Sequence, residues 1–289
     1  MDHVLILGGT QFFGKRLVHT LLENGKKVTL ATRGHKADPF GDKVQRLVID
    51  REDSQSMKEA FANQTYDIVY DQSCFSPQEA LDSANALRGK ARKYIFTSSQ
   101  AVYDFGTNRT EEEFDPYHFS FNYKTRQEYP GYLGYQEAKR AAESVLFTQT
   151  DFEVTAVRLP IVIGPDDYTK RLTFHVDKVK KNEPIGIENP DARYSFIHSK
   201  EAAEFLYLMG ASSFTGPINP GCEEDISLLE LIGKIEKQTN HKAIITNILT
   251  KENTSPYSLP GPWSINTNKV KQLGYTFSSL DSVLEELIM

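Results

Sequence analysis

Tyr135 and Lys139 stand four residues apart in Tyr135-Gln136-Glu137-Ala138-Lys139, a spacing that puts both side chains on one face of a helix. A phenol of ordinary acidity, with a pKa of about 10, is a poor base at neutral pH. An ammonium one helical turn away stabilises the phenolate and fits such a group for proton transfer. Tyr-x-x-x-Lys recurs by chance, so its meaning depends on its company. Here that company is Thr97-Ser98-Ser99, at the end of a strand-like run over residues 93–97. Active groups of open α/β sheets gather at the carboxyl ends of strands. A serine there, Ser99, can hydrogen-bond a reacting oxygen and hold it against Tyr135.

A second motif, Gly8-Gly9-Thr10-Gln11-Phe12-Phe13-Gly14, joins the first apolar run to the first helical pattern. Glycines at such a junction let the backbone turn tightly and approach a pyrophosphate, whose charge the helix N-terminus favours. Gly8, Thr10, Gln11, Phe12, Phe13 and Gly14 are therefore candidate cofactor contacts. Gln11 holds the middle position, where many such loops carry glycine, so its side chain must point away from the cofactor or hydrogen-bond to it. The second strand ends Ala31-Thr32-Arg33. An acidic residue here binds a ribose 2′-hydroxyl and selects NAD, whereas arginine pairs with a 2′-phosphate. Arg33, with Lys36 in reserve, points to NADP, with NAD as the alternative. Asp50 and Arg51, closing the third strand, are candidates to flank the adenine.

These residues need a scaffold that brings strand ends and helix starts together. The first hundred residues alternate short β-branched or apolar runs with amphipathic segments, as βαβ units do. Strands are expected at 4–7, 27–31, 44–49, 68–70, 93–97 and 154–159. Helices are expected at 14–23, 77–87 and 135–147, the first closed by Asn24-Gly25. The fold class is α/β, a doubly wound parallel Rossmann sheet over 1–165, with a smaller substrate-binding portion over 166–289 that returns some segments to the sheet. In that second half, helices are expected at 172–180, 201–209, 227–238 and 280–287, with a short strand at 194–197. Residues 104–131 break the rhythm with Glu111-Glu112-Glu113 and aromatic residues, among them Tyr117, Phe119, Phe121, Tyr123 and Tyr129, of no clean period. A loop this long is usually functional or mobile. A substrate-facing lid, an oligomer contact and a surface excursion all fit its composition.

Composition narrows the function. With a formal net charge of −6, a polyanion such as RNA or DNA is a poor default partner. Two cysteines, Cys74 and Cys222, cannot make a disulfide framework, and no Cys/His cluster has zinc spacing, so no metal is expected. No apolar run of about 18 residues or more suggests a membrane span, and the N-terminus has no secretory pattern, so a cytoplasmic location is expected.

Glycine loop, serine strand end and Tyr-x-x-x-Lys helix, in this order, resemble the extended or atypical branch of the short-chain dehydrogenase/reductase superfamily, the NAD-dependent epimerases and dehydratases. Further matching stretches are Tyr94 to Tyr103, Tyr135 to Leu146, Arg158-Leu159-Pro160 with Gly164-Pro165, and Phe196-Ile197-His198. Together the matches span about two thirds of the chain. The glycine loop is also similar to that of the chloroplast stem-loop RNA-binding relatives. The resemblance implies a Ser99–Tyr135–Lys139 triad, with Lys139 also binding the nicotinamide ribose and Tyr135 taking a hydroxyl proton as hydride leaves the same carbon. It further implies a nucleotide-sugar substrate, with Arg171 and Arg193 as candidate grips on its diphosphate, and, by analogy, a homodimer. Sugar dehydratases of this family carry Asp-Glu directly after the serine position. Gln100-Ala101 stands there instead, which favours epimerisation or reduction over dehydration. Two departures weaken the nucleotide-sugar reading: Ile161 replaces an asparagine that contacts the sugar nucleotide, and Tyr194 replaces an arginine, with Arg193 one place away. The alternative is an NADP-binding regulatory or RNA-binding protein on the same fold.

Overall fold

The computed structural model describes residues 2–288. In chain order it begins β1 (His3–Leu7), α1 (Phe12–Glu23), β2 (Lys27–Thr32), β3 (Val44–Val48) and α2 (Ser54–Ala60). There follow β4 (Tyr66–Asp71), α3 (Pro77–Leu87), β5 (Ala91–Ser99), β6 (Gly106–Arg109), α4 (Gly131–Thr148), β7 (Glu153–Leu159) and β8 (Ile161–Ile163). The remainder holds α5 (Arg171–Lys180), β9 (Pro184–Gly186), β10 (Arg193–His198), α6 (Ser199–Ala211), β11 (Gly216–Ile218) and β12 (Asp225–Ser227). It closes with α7 (Leu228–Thr239), β13 (Ile244–Thr246), β14 (Trp263–Ile265), α8 (Asn268–Gln272) and α9 (Leu280–Ile288).

Seven parallel strands form the main sheet in the order β11-β7-β5-β4-β1-β2-β3. Val4, Leu5, Ile6 and Leu7 of the central β1 are buried on both faces, which is why that strand reads as an unbroken apolar run. The order reverses direction between β1 and β4, and an open α/β sheet binds its ligand at that switch point. The sequence predicts six strands; β11 is the seventh, too short to stand out in the sequence. Helix α1 closes as Asn24-Gly25 signals. Gly25 sits at φ +68° and its N–H donates to the Leu22 carbonyl, while that of Lys26 reaches Leu21.

Two compact units divide the chain, one of 1–102, 111–159 and 202–218, the other of 103–110, 160–201 and 219–289. The boundary is thus not one cut at residue 165. Residues 103–110 leave the first unit because β6 pairs with β14, and 202–218 return to it because β11 pairs with β7. Two further differences concern helices. The seven-residue α2, capped by the Asp53 side chain on the Gln55 N–H, has too few apolar positions to show a period. Helix α4 begins a full turn before Tyr135, at Gly131.

The second unit has its own sheet, β12-β10-β14-β6 with β8 beside β10, and a two-stranded β13–β9 pair. Buried in it, His175 donates from Nδ1 to the Arg171 carbonyl at 2.8 Å, since a carbonyl can only accept, and Nε2 accepts from the Ser255 hydroxyl at 2.7 Å. Burial pushes this imidazole from its ordinary 6.5 down to about 4, with the bond to Arg171 working the other way. The ring is therefore neutral when folded, while the unfolded chain takes up a proton below about 6.5. Stability is fully present above that pH and falls as pH drops towards 4. A displacement of this size is worth on the order of 3 kcal/mol. Urea denaturation of this unit at pH 7 and pH 4.5 is expected to reveal the loss, and His175→Phe to flatten the slope between them. An unchanged slope in the variant would assign the acid sensitivity elsewhere.

Among the described residues no group of His, Cys, Asp and Glu could hold a metal ion, and no helix is long and apolar enough to cross a membrane. Cys74 and Cys222 are both free and buried.

Candidate active site

The glycine loop leaves β1 at the switch point. Gly8 and Gly9 have φ of +95° and +83°, a region that side-chain-bearing residues rarely adopt. A Cβ on Gly14 would lie 3.0 Å from the Gly9 Cα and 2.1 Å from Gln72 Oε1, so the turn closes on itself with no room for a side chain. No side chain caps α1, and its first turn carries no acidic residue. The positive end of the helix dipole is thus left for an anion. Gln72, just beyond β4, keeps its buried Nε2 without a partner beside this loop. A tight glycine turn, an uncapped helix start and an unused amide donor fit a dinucleotide pyrophosphate.

Gln11 turns aside from the loop, its Oε1 accepting from Lys36 Nζ at 2.8 Å. That contact draws Lys36 to the loop. Arg33 is exposed, and no described residue bonds to it. Asp50 is also exposed, its carboxylate accepting the Glu52 N–H in a tight turn.

Arg51 corrects the sequence reading. It points inward, buried, not outward towards an adenine. Its Nη1 and Nη2 lie 2.6 Å from the two oxygens of Asp71, and they also reach Ser73 at 2.7 Å and Ser83 at 2.8 Å. Asp71 further accepts from the Tyr94 hydroxyl and from the N–H groups of Ser73 and Cys74. Burial alone would raise the Asp71 carboxyl, but the Arg51 charge and these hydrogen bonds hold it below the usual carboxylate range.

At the end of β5, Lys139 is buried and its Nζ donates to the carbonyls of Cys74 at 2.7 Å and Thr97 at 3.0 Å. An ammonium has three donors, so one remains for a ligand. The same Nζ lies 5.9 Å from the centre of the Tyr135 ring. Tyr135 packs against Phe75 at 5.5 Å, and its hydroxyl has no hydrogen-bond partner among the described residues. Ser99 Oγ accepts the Ala101 N–H at 3.2 Å and keeps its proton to give. Arg140 Nε donates to the Val102 carbonyl at 2.6 Å, so α4 grips the strand end on both sides of Ser99.

One turn after Lys139, Glu143 fixes the register of this helix. It accepts from the Ser98 hydroxyl and pairs with Arg158 of β7, Nη2 to Oε2 at 2.7 Å, with both side chains fully buried. The sequence drew attention to Arg158 only as part of a motif; its role becomes visible with the partner that folding supplies. Gln72, Ser73 and Phe75 were also missed. Their position, straight after the strand neighbouring β1, was the available signal.

The proposed substrate residues lie in the second unit. Arg171 opens α5 with Nε on Thr169 Oγ1 at 3.1 Å, and its guanidinium lies 5.9 Å from the centre of the Tyr257 ring. Arg193 is the second correction. Asp225 holds its Nε at 2.6 Å and Glu230 its Nη1 at 2.9 Å, and Glu224 lines the same groove. Those carboxylates already neutralise the guanidinium and would repel a diphosphate.

The chain is similar to several known proteins. The chain is 29% identical over 226 residues to the chloroplast stem-loop binding protein of 41 kDa b of Arabidopsis thaliana, covering 72% of this chain and 55% of that protein. The chain thus spans about half the length of the curated relative it matches. Among solved structures, it is similar to UDP-glucose 4-epimerase of Thermus thermophilus in complex with NAD, with a TM-score of 0.72 and 15% identity over 99% of this chain and 97% of that one. It is also similar to dTDP-glucose 4,6-dehydratase of Bacillus anthracis in complex with NAD, with a TM-score of 0.75 and 13% identity over 100% and 96%. At such identities the likeness is one of fold. Residues 4–219 match the description of a single family, and the chain belongs to it: the NAD dependent epimerase/dehydratase family.

Proposed function

We propose that this protein is an NAD(P)-dependent oxidoreductase acting at a secondary alcohol or ketone, as an epimerase or reductase, with a nucleotide sugar as substrate class. The observation that carries it is the buried Lys139 ammonium, tied to two carbonyls with one donor left, a turn from a Tyr135 whose hydroxyl is unbonded. A bound nicotinamide supplies a hydride acceptor and donor. Tyr135 would take the proton of the substrate hydroxyl when the alcohol is oxidised to a ketone. Tyr135 would return that proton to the same oxygen when the ketone is reduced again. Ser99 donates to the reacting oxygen throughout, and Lys139 holds the cofactor ribose. The absence of carboxylates at Gln100-Ala101 fits epimerisation or reduction better than loss of water. Arg171 is the remaining candidate for a substrate diphosphate.

Arg33 and the Gln11-tethered Lys36 favour NADP over NAD. Replacing Arg33 with Asp is expected to move the preference towards NAD, read as the ratio of NADPH to NADH affinities. An identical ratio before and after would remove Arg33 from cofactor selection. The reading as a whole is tested by titrating the protein with both reduced dinucleotides and then scoring a nucleotide-sugar panel by thermal shift. Binding of neither dinucleotide would contradict it.

The stem-loop binding relative keeps a second reading in view, a dinucleotide-responsive RNA-binding protein. Filter binding of a stem-loop RNA at physiological salt decides between them. The net charge of −6 predicts no retention.

A further inference from the structure

The turn between β4 and α3 is built on four charged side chains, two of them deeply buried acids, and this investment calls for a reason. Arg51 and Asp71 form its inner half. Glu79, only 3% exposed, accepts the Phe75 N–H at 3.0 Å and lies 3.2 Å from Arg51 Nε. The outer half is Arg126, from the irregular stretch before α4. Its Nε and Nη2 fork onto the two Glu79 oxygens at 2.9 and 3.0 Å, and Nη2 also reaches the Ser73 carbonyl at 2.9 Å. The guanidinium lies over the Phe75 ring at 5.0 Å, and Tyr135 packs against the same ring at 5.5 Å. Within this same turn, the Cys74 carbonyl holds Lys139.

We propose that Arg126 is a positioning residue that clamps the β4–α3 turn from outside and so sets Phe75 against Tyr135 and the Cys74 carbonyl under Lys139. This inference rests on the dinucleotide reading above and assigns a task to the stretch before α4. That stretch is pinned at its other end, where Arg158 donates to the carbonyls of Glu111 at 2.9 Å and Phe114 at 3.1 Å, and Ser144 to that of Pro116. Near the clamp, Gln127 reaches Glu52 at 2.7 Å. The stretch is a strap fixed at both ends, and Arg126 is the end that touches the turn beside Tyr135 and Lys139. A bidentate guanidinium–carboxylate fork with an added carbonyl suits such a clamp because it fixes direction as well as distance.

Arg126 acts on the nicotinamide half through Phe75 and the Cys74 carbonyl, and reaches the glycine loop only through Ser73, whose Oγ donates to the Leu7 carbonyl at 3.3 Å, so the two halves are expected to respond unequally. The full chain and its Arg126→Ala and Arg126→Lys variants are titrated with NADPH and with ADP, which lacks the nicotinamide riboside. Arg126→Ala is expected to weaken NADPH binding about tenfold, the worth of one charge-assisted contact, with a clearly smaller loss for ADP. Arg126→Lys keeps a cation over Phe75 without the fork and is expected to fall between the two. Equal losses for both ligands would mean that Arg126 supports the fold at large, and no loss for either would mean that it positions nothing; each result overturns the proposal. If the unaltered protein binds ADP but gains nothing from the nicotinamide half, the clamp has no function to serve and the inference fails. Binding of neither ligand would instead overturn the dinucleotide reading, and this inference with it.

Discussion

Tyr135→Phe is expected to lower turnover by about 10²–10⁴-fold, the usual contribution of a positioned proton-transfer group, while NADPH affinity stays close to that of the unaltered protein. The substitution is clean here for a structural reason. The Tyr135 hydroxyl bonds to no described residue, and the ring contacts with Phe75 and Lys139 involve atoms that phenylalanine keeps. Its removal therefore leaves no stranded donor or acceptor, and stability should change by no more than about 0.5 kcal/mol. Lys139 gives no such clean test, because its ammonium also ties the Cys74 and Thr97 carbonyls together. Turnover in Tyr135→Phe equal to that of the unaltered protein would remove the phenol from the chemistry.

The second large effect is on stability. Glu143→Ala is expected to destabilise the first unit by about 3–5 kcal/mol, measured as a lower midpoint in urea, because it leaves a fully buried guanidinium without its counter-ion. The Ser98 hydroxyl loses its acceptor as well. Adding Arg158→Met should recover part of the loss, since it removes the stranded charge. It cannot recover all of it, as the Glu111 and Phe114 carbonyls then lose their donor. A single variant as stable as the parent would mean that the pair contributes nothing to holding α4 on β5.

Much of the sheet could be read from residue order because its central strands are buried on both faces and flanked by turn-forming residues. The unbroken run Val4-Leu5-Ile6-Leu7 and the Asn24-Gly25 stop needed no partner to be recognised. The glycine loop and the Tyr135–Lys139 spacing were legible for the same reason, as local patterns with local physics. What escaped depended on distant partners. Nothing near Arg51 in sequence announces that Asp71, twenty residues later, turns it inwards. Nor does anything near Arg193 announce Asp225 and Glu230. Arginines look alike in sequence whether they face a phosphate or a buried carboxylate, and only the fold separates the two. The stretch before α4 was obscure because its order comes from Arg158, Ser144 and Glu79 side chains acting on it, and not from any period of its own.

A crystal structure of the protein with bound NADP tests the central claim most directly. The account predicts the nicotinamide ribose within hydrogen-bond reach of Lys139 Nζ, with the Tyr135 hydroxyl and Ser99 Oγ facing one shared space beside the nicotinamide ring. A nicotinamide bound away from Lys139, or those two oxygens opening into separate cavities, would contradict it.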